Sequence, residues 1–520
     1  VFRFHEGTLN LAACGLIAAA GLAAYANTFE APFVFDGLPL EDRLRALTWN
    51  PAEWFGTNPR TIGFFTFDLQ YSLHGRWLPG FHAVNIAIHV VAALALFGAV
   101  LVTCRRPRMS PAVQRDAAGI AVVSAILFEL HPLQTQAVTY LYQRFESLMG
   151  MFFLLAVFCF AFAVHGGATT AWRRAGWYIA AWVLVLLSIG SKEVGAVAPL
   201  VLLWYDRVFG ATSWRDLWTR RWWFYLPFLA LFAAGAAYLY AQREHYAAGG
   251  IFDPDKMSPL TYALTQPEVI CRYLRLAFWP SGLCLDWAWP PARTAIRIVP
   301  PSLVMLAMAS LTAWSAVRLP AVGFLLGSFF LILAPTSSFA PIVDLAFEHR
   351  MYLPLAPLAV LVVVAARAGL HEAAERFGVE QRPIRAVLTV ITMTVVIALG
   401  LTTYLRNEVY RSGVTLWNDV VEKVPGNPRA YSSLAWHVEL ETGDKIAAIR
   451  LNRRALRLKP DEANAHRGLA ILLYESNRVE SLQHAREAVK IERSADNLNN
   501  LSTSVPSVVT ASTVWRPVTS

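Results

Sequence analysis

Four groups of polar residues border or interrupt long apolar stretches in this sequence, and each carries usable chemistry. The first is Phe33-Val34-Phe35-Asp36-Gly37, with Glu41 and Asp42 behind it. A carboxylate held at an apolar mouth is a candidate general base, because loss of solvent raises its pKa toward the working range. Asp-Gly is equally a common turn dipeptide, and spacing alone favours the turn. The second group lies between Arg60 and His89, where His82, Asn85 and His89 at i, i+3 and i+7 share one helical face. A metal site is conceivable there, but no carboxylate at ligand spacing joins the stripe, and interhelical hydrogen bonding is its commoner use. Asp68 completes a site only through the fold. The third group is His131-Pro132 through Tyr142-Gln143-Arg144-Phe145-Glu146, together with Ser191-Lys192-Glu193. The Lys-Glu pair falls between two short apolar runs, so it is expected to sit sunk below the surface, either as a buried pair or as a cation for a lipid phosphate. The fourth, Phe347-Glu348-His349-Arg350-Met351-Tyr352, opens an apolar run and fits interfacial anchoring as well as a site.

The elements that must position these groups are read from composition. Of 520 residues, 56% are hydrophobic and 16% charged, with mean hydropathy +0.42, beyond the apolar share of a soluble globular protein. The apolar residues fall into about eleven blocks able to cross a hydrocarbon core of about 30 Å, predicting an all-α polytopic helical bundle. The first block, Leu9 to Ala26, ends Ala24-Tyr25-Ala26 like a signal-peptidase site and is taken as a retained span. The others start near Gly80, Ala117, Leu148, Gly176, Val194, Trp223, Pro301, Ala321, Tyr352 and Ala386.

The net charge of +9 does not point to nucleic acid, since the arginines sit mainly between apolar blocks rather than along one amphipathic face. With the N-terminus in the cytoplasm, Arg105, Arg106, Arg108, Arg115, Arg173, Arg174, Arg215, Arg220, Arg221, Arg376, Arg382 and Arg385 all fall inside, satisfying the positive-inside rule. Residues 27–79, 139–146, 242–298, 341–351 and everything after 405 then lie outside, and all four polar groups fall at that outer side. No cysteine pair has C-x-x-C spacing; only Cys271 and Cys284 are placed where a disulfide could persist, and two free thiols are as good a reading.

After a membrane domain of residues 1–405, residues 406–500 read as tandem helix pairs. Leu434-Ala435 recurs as Leu469-Ala470, and Gly443-Asp444 as Asn477-Arg478, close to the 34-residue tetratricopeptide period, with Ala455 and Pro460 closing the first unit. Residues 501–520 show no period.

In order, V-F-D, L-H-G with F-H-A-V-N-I-A-I-H, H-P-L-Q-T-Q-A-V-T-Y with Arg144, S-K-E, E-H-R-M-Y-L-P and the repeats resemble the transmembrane and tetratricopeptide repeat proteins, multi-span glycosyltransferases of GT-C architecture, and their bacterial relatives. The resemblance covers nearly the whole chain. It implies transfer of a sugar, mannose in animal members, from a polyprenyl-phosphate donor to a protein hydroxyl outside the cytoplasm. Asp36 is then the candidate base; Arg60, Arg144, Lys192 and Arg350 are candidates for the departing phosphate. Glu41, His82, His131, Glu193, Glu348 and His349 are supporting candidates. No resident metal is assigned, a divalent ion being compatible with the chemistry. The expected partners are membrane lipid and a protein met through the repeats, and the expected location is a bacterial cytoplasmic membrane with the repeats on the periplasmic or extracellular side. Two departures stand out: Gly37 occupies the place of the second acid that family members carry, and Arg60-Thr61 that of an Arg-Pro. They keep a second reading open, a non-catalytic scaffold whose repeats recruit a partner.

Overall fold

The computed structural model describes residues 2–45, 60–165, 170–241, 257–342, 344–377 and 381–491. Residues 46–59 of the expected first outer loop, 242–256 of the expected large outer loop, 492–500 at the end of the expected repeats and the tail 501–520 lie outside the described residues. The chain forms helices joined by short irregular or 3-10 connections: α1 Phe2–Ala24, α2 Gly37–Arg45, α3 Thr61–His74, α4 Leu78–Cys104, α5 Ala117–Glu129, α6 Arg144–His165, α7 Ala171–Ser191, α8 Ala198–Tyr205, α9 Trp214–Ala241, α10 Pro259–Phe278, α11 Ala295–Arg318, α12 Pro320–Leu333, α13 Leu355–Phe377 and α14 Gln381–Glu408. The tail is α15 Gly413–Lys423, α16 Pro428–Thr442, α17 Lys445–Leu458, α18 Ala463–Leu472 and α19 Arg478–Ile491.

Every expected span is helical, but six helices among the described residues are long and apolar enough to cross a membrane, or up to seven if the pair Ala117–Glu129 and Pro132–Val138, bent by 50°, is one span. The count of about eleven is not met, for a reason of length. Helix α8 has eight residues, about 12 Å at 1.5 Å per residue, and α12 has fourteen, about 21 Å, both short of a core of about 30 Å. Helices α11 and α14 bury almost none of their apolar faces within the protein; Val317 is 78% exposed and Val390 66%. Apolar faces of that extent on helices of spanning length are stable in hydrocarbon rather than water.

Helix α4 lies at the centre, packed on α1, α5 and α6, with α7 against α6 and α13 against α5. Close approach is built in: a Cβ on Gly150 of α6 would meet the Tyr352 ring at 2.6 Å. The basic connections gather at one end, where Arg108 donates to the Ala211 carbonyl at 3.2 Å, Arg367 pairs with Asp116, and Arg221 pairs with Asp206 at 2.7 Å. The polar loops carrying Asp36, His131, Lys192 and Glu348 gather at the other.

Residues 257–298, expected as outer loop, are largely α10 and the start of α11, and Cys271 and Cys284 are both free. Helix α10 is anchored through its tyrosines: Tyr262 donates to the Thr336 carbonyl at 2.5 Å, and the Tyr273 hydroxyl accepts from the Phe347 amide at 2.9 Å.

The tail forms successive packed helix pairs whose ends carry local capping signals. Ser412 and Thr415 form a capping box at α15; Asn427 caps α16, with Pro428 at the first position; Gly443 ends it in the left-handed conformation (φ 71°), and Asp444 caps α17. The pair α16–α17 is followed by the similar pair α18–α19. The tail shares a hydrophobic core with the polar end of the bundle: Leu416, Trp417, Val420, Ala430 and Leu434 pack with Ala31 and Val34 of the first loop, Tyr140, and Cys284-Leu285. Trp417 is completely buried there, so Trp417→Ala is expected to cost about 3–5 kcal/mol and release the tail. Thermal unfolding with limited proteolysis checks this, and a variant as stable and protease-resistant as wild type would show that the tail is not docked through this core.

Candidate functional site

The first loop leaves α1 through a tight turn. Gly37 donates to the Val34 carbonyl at 2.8 Å and Leu38 to that of Phe35 at 3.1 Å, so the Asp-Gly turn is real and Asp36 stands at its apex. The Asp36 amide donates to the Tyr140 hydroxyl at 2.8 Å, fixing the turn against the loop after α5. Burial raises the Asp36 carboxyl to about 7, against the opposing pull of Arg429; Asp344 adds to the rise, while Tyr140 and Arg60 resist it. A carboxyl poised there is protonated and deprotonated in comparable amounts near neutrality, which suits a general base.

The expected cations do not all meet. Arg60 lies within electrostatic reach of Asp36 and pairs with Glu193 at 3.1 and 3.3 Å. Lys192, buried, pairs with Glu146 at 2.5 Å; desolvation holds its pKa below the usual lysine value, and Glu146 works against that fall. His349 faces the same group: burial, then the charges of Lys192, Arg350 and Arg60, hold its imidazole well below the ordinary range, so it is neutral. Its amide donates to Gln136 Oε1 at 2.6 Å and its Nδ1 has no hydrogen-bond partner among the described residues. Arg350 is turned toward backbone, donating to the carbonyls of Asp344 at 2.6 Å, Leu345 at 3.2 Å and Thr336 at 3.3 Å. Arg60, Lys192 and Arg350 thus all bear on the neutral His349, and Arg60 links this group to Asp36.

Arg144 stands apart from it. Fully buried between α4 and α6, it donates to Asn85 Oδ1 at 2.6 Å and the Phe81 carbonyl at 3.0 Å, with its guanidinium 4.1 Å from the Phe67 ring centroid. These contacts bind helices together. Glu348 also parts from its neighbour His349: it accepts from the Cys284 amide at 2.7 Å, and its carboxyl is raised to about 7 by burial, opposed by Arg406, the Cys284 amide, Lys423 and Arg272. One residue faces the tail and the next the cations, because the 3-10 turn Glu348–Met351 points successive side chains apart.

The remaining candidates are structural in their contacts. His82 Nε2 meets the Ala31 carbonyl at 2.8 Å and holds the first loop; His131 meets the Ala277 carbonyl at 3.0 Å and accepts from the Leu133 amide; Glu41, buried, pairs with Arg76. Asn85 bonds the Val138 carbonyl, and His89 bonds the Tyr352 hydroxyl at 3.0 Å and the Glu129 carbonyl at 2.9 Å. Asp68 takes a two-pronged bond from Arg43 at 2.9 and 2.7 Å. Among the described residues no three His, Cys, Asp or Glu side chains are grouped to hold a metal, and the expected histidine stripe is spent on hydrogen bonds.

Sequence reasoning missed Arg429, which donates to Asp286 at 2.7 and 2.8 Å and to Asp344 at 2.7 Å. It lies in the polar tail, and nothing in the local sequence marks it. Tyr140 and Glu146 were inside quoted motifs, where they served only as flanking residues.

Protein O-mannosyl-transferase TMTC1 of Homo sapiens is 23% identical over 459 residues, covering 79% of this chain and 49% of its own length. This chain is a distant homologue of protein O-mannosyl-transferases. Drosophila melanogaster Tmtc3 is 24% identical over 476 residues, 78% of this chain and 49% of the relative, and Mus musculus TMTC4 is 26% identical over 200 residues, 34% and 26%. The chain spans about half, or less, of the length of these relatives. No family model matches the chain. No solved structure matches it either. Homology to protein O-mannosyl-transferases supports a membrane glycosyltransferase, and with the apolar helices it supports an integral membrane protein.

The buried pair gives a direct test of the cationic neighbourhood. Lys192→Met leaves Glu146 buried without its cation, which costs about 3–5 kcal/mol. Glu193→Gln, whose side chain is 51% exposed, is expected to cost under about 1 kcal/mol. Thermal unfolding in detergent reads both, and equal losses would show that Lys192 is not held in a desolvated site.

Proposed function

We propose that this chain is an inverting, membrane-embedded glycosyltransferase that moves a sugar from a polyprenyl-phosphate donor to a protein Ser or Thr hydroxyl on the non-cytoplasmic side, in a bacterial cytoplasmic membrane. The observation that carries the reading is Asp36, a carboxyl raised to about 7 at the apex of a turn held by Tyr140 and within electrostatic reach of Arg60, which in turn bears on Lys192 and His349.

In the proposed reaction the acceptor oxygen attacks the anomeric carbon, the bond from that carbon to the phosphate oxygen breaks, and Asp36 takes the hydroxyl proton. The phosphate leaves with its electron pair, and its growing charge is offset by Arg60 and Lys192, held in place by Glu193 and Glu146. Arg350 adds positive potential rather than a direct bond, since its donors are engaged by carbonyls. Neutral His349 has a ring nitrogen to spare for the phosphate or acceptor. Glu41, the nearest substitute in sequence for the acid missing at Gly37, is committed to Arg76, which leaves Asp36 as the base. A divalent metal is not required by this scheme. The tail supplies the protein-facing side, as tetratricopeptide-type helix pairs do.

Purified protein in lipid, given radiolabelled polyprenyl-phosphate sugar and envelope protein, is expected to label acceptors. Asp36→Asn should lower the rate by about 10²–10⁴, a general base's usual share. Since the base must be ionised, kcat/KM should rise with pH to a plateau above about 7 and lose that limb in Asp36→Asn. Equal labelling by wild type and variant would remove Asp36 from the mechanism; no labelling with any donor would favour the non-catalytic scaffold.

A further inference from the structure

We infer that Arg429, contributed by the helical tail, is a positioning residue for Asp36: with Trp417 it clamps Phe35 in a left-handed backbone conformation and so fixes where the carboxylate stands. The inference rests on Asp36 being the base of the proposed reaction.

Phe35 has φ of 50°, in the region that bulky residues avoid because Cβ crowds the backbone. Such a conformation persists only where its surroundings over-determine it. Two groups of the tail do so here. The Trp417 ring meets Phe35 edge to face, centroids 5.4 Å apart, and the Arg429 guanidinium lies 5.4 Å from the Phe35 centroid. Neither group is free to drift. Trp417 is fully buried in the shared core. Arg429 spans Asp286 through two hydrogen bonds and Asp344 through a third, while Asp286 is further held by Asn427 at 3.0 Å and by the Ala288 amide at 3.0 Å. A planar fork carrying several donors can satisfy two carboxylates and stack on a ring at once, which an ammonium cannot.

The next residue along is Asp36, whose amide is fixed by Tyr140. The turn is therefore gripped on one side by the loop after α5 and on the other by the tail. The charged and titratable groups that face Asp36 are Arg429 from α16, Asp344 from the loop after α12, Tyr140 and Tyr142 from the loop before α6, and Arg60 before α3. Of these, Arg429 most strongly favours the ionised carboxylate and Asp344 most strongly opposes it. The tail is thus part of the site, completing it with a cation that the membrane helices do not provide.

The test titrates Asp36 itself in the full chain in lipid nanodiscs. A water-soluble carbodiimide with an amine nucleophile modifies protonated carboxyls, so mass spectrometry of the Asp36 peptide across pH gives a midpoint without any sugar donor. Arg429→Gln removes the favourable cation and is expected to move the midpoint up by about one pH unit. Asp344→Asn removes the opposing anion and is expected to move it down, while its side-chain carbonyl still accepts from Arg429. Arg429→Lys keeps the charge and should lie between wild type and Arg429→Gln. A merely structural role would lower stability and leave the midpoint in place. Unmoved midpoints in Arg429→Gln and Asp344→Asn, or shifts in the same direction, overturn the inference. If Arg429→Gln fails to fold, Asp344→Asn decides alone. Because the midpoint needs no transfer, an inactive wild type tells against the proposed reaction only, and unmoved midpoints tell against this inference only.

Discussion

A charge withdrawn from water must be met by an opposite charge or by hydrogen-bond donors and acceptors, and that requirement organises the polar end of this protein. Lys192 is met by Glu146, Asp286 and Asp344 by Arg429, Arg406 by Asp419, and Asp68 by Arg43. The Arg429 pairs join elements more than eighty residues apart, so the balancing of charge also decides which loops meet. Asp36 and Glu348 are two loop acids for which balance is incomplete: burial outweighs the cations around them, and both are raised to about 7. Incomplete compensation leaves a proton easily gained or lost, the property an acid–base site needs and a purely structural pair lacks.

The tail is part of this balance. Arg429 crosses from α16 to Asp286 and Asp344, Lys423 donates to the Leu283 carbonyl at 2.7 Å, and Asn427 reaches Asp286. Beneath them lies one apolar core made jointly by the first loop, Tyr140, Cys284-Leu285 and the helices from α15 to α16. At the base of the tail, Asn407 of α14 donates to the Ala24 carbonyl at 3.0 Å and accepts from Thr139 at 2.7 Å, so the end of the last long apolar helix is stitched to the ends of the first and of the bent pair. A short solenoid cannot bury its own terminal faces, and here the loops at the polar end of the bundle cover the first of them. This is why the tail and the bundle are better regarded as one folding unit than as a reader tethered to an enzyme.

Two grooves follow from that docking. One, of about 320 Å³, is lined by Phe35, Asp344, Trp417, Arg429, Trp436 and His437; another, of about 620 Å³, is bordered by Phe33, Glu41, Arg76, Trp436 and Glu441. Both run between the first loop and the tail. The turn that carries Asp36 therefore lies where bundle, loop and tail converge.

The sequence by itself determined the solvent of this protein, the place of the long apolar helices and the ends of the tail hairpins, because apolar length, capping residues and Gly-Asp turns act over a few residues and need no partner, whereas α2, α3 and α10 fell in stretches read as outer loop. It also placed a turn at Asp36-Gly37, since that geometry is local. The number of helices able to cross alone was harder, because a break such as Ser191-Lys192-Glu193 divides an apolar run into pieces whose lengths only the fold defines. What the tertiary structure alone decided was which polar residues meet. Arg144 and Lys192 are equivalent as letters in a motif, yet one bonds Asn85 and the Phe81 carbonyl and the other pairs with Glu146 within reach of Arg60. Glu348 and His349 are neighbours in sequence and face different surroundings. Arg429 had no local signal at all, for its role arises from carboxylates more than eighty residues away. Periodicity along the chain fixes the direction of a side chain on its own helix, whereas the field that a charge feels is set by whatever the fold brings opposite it.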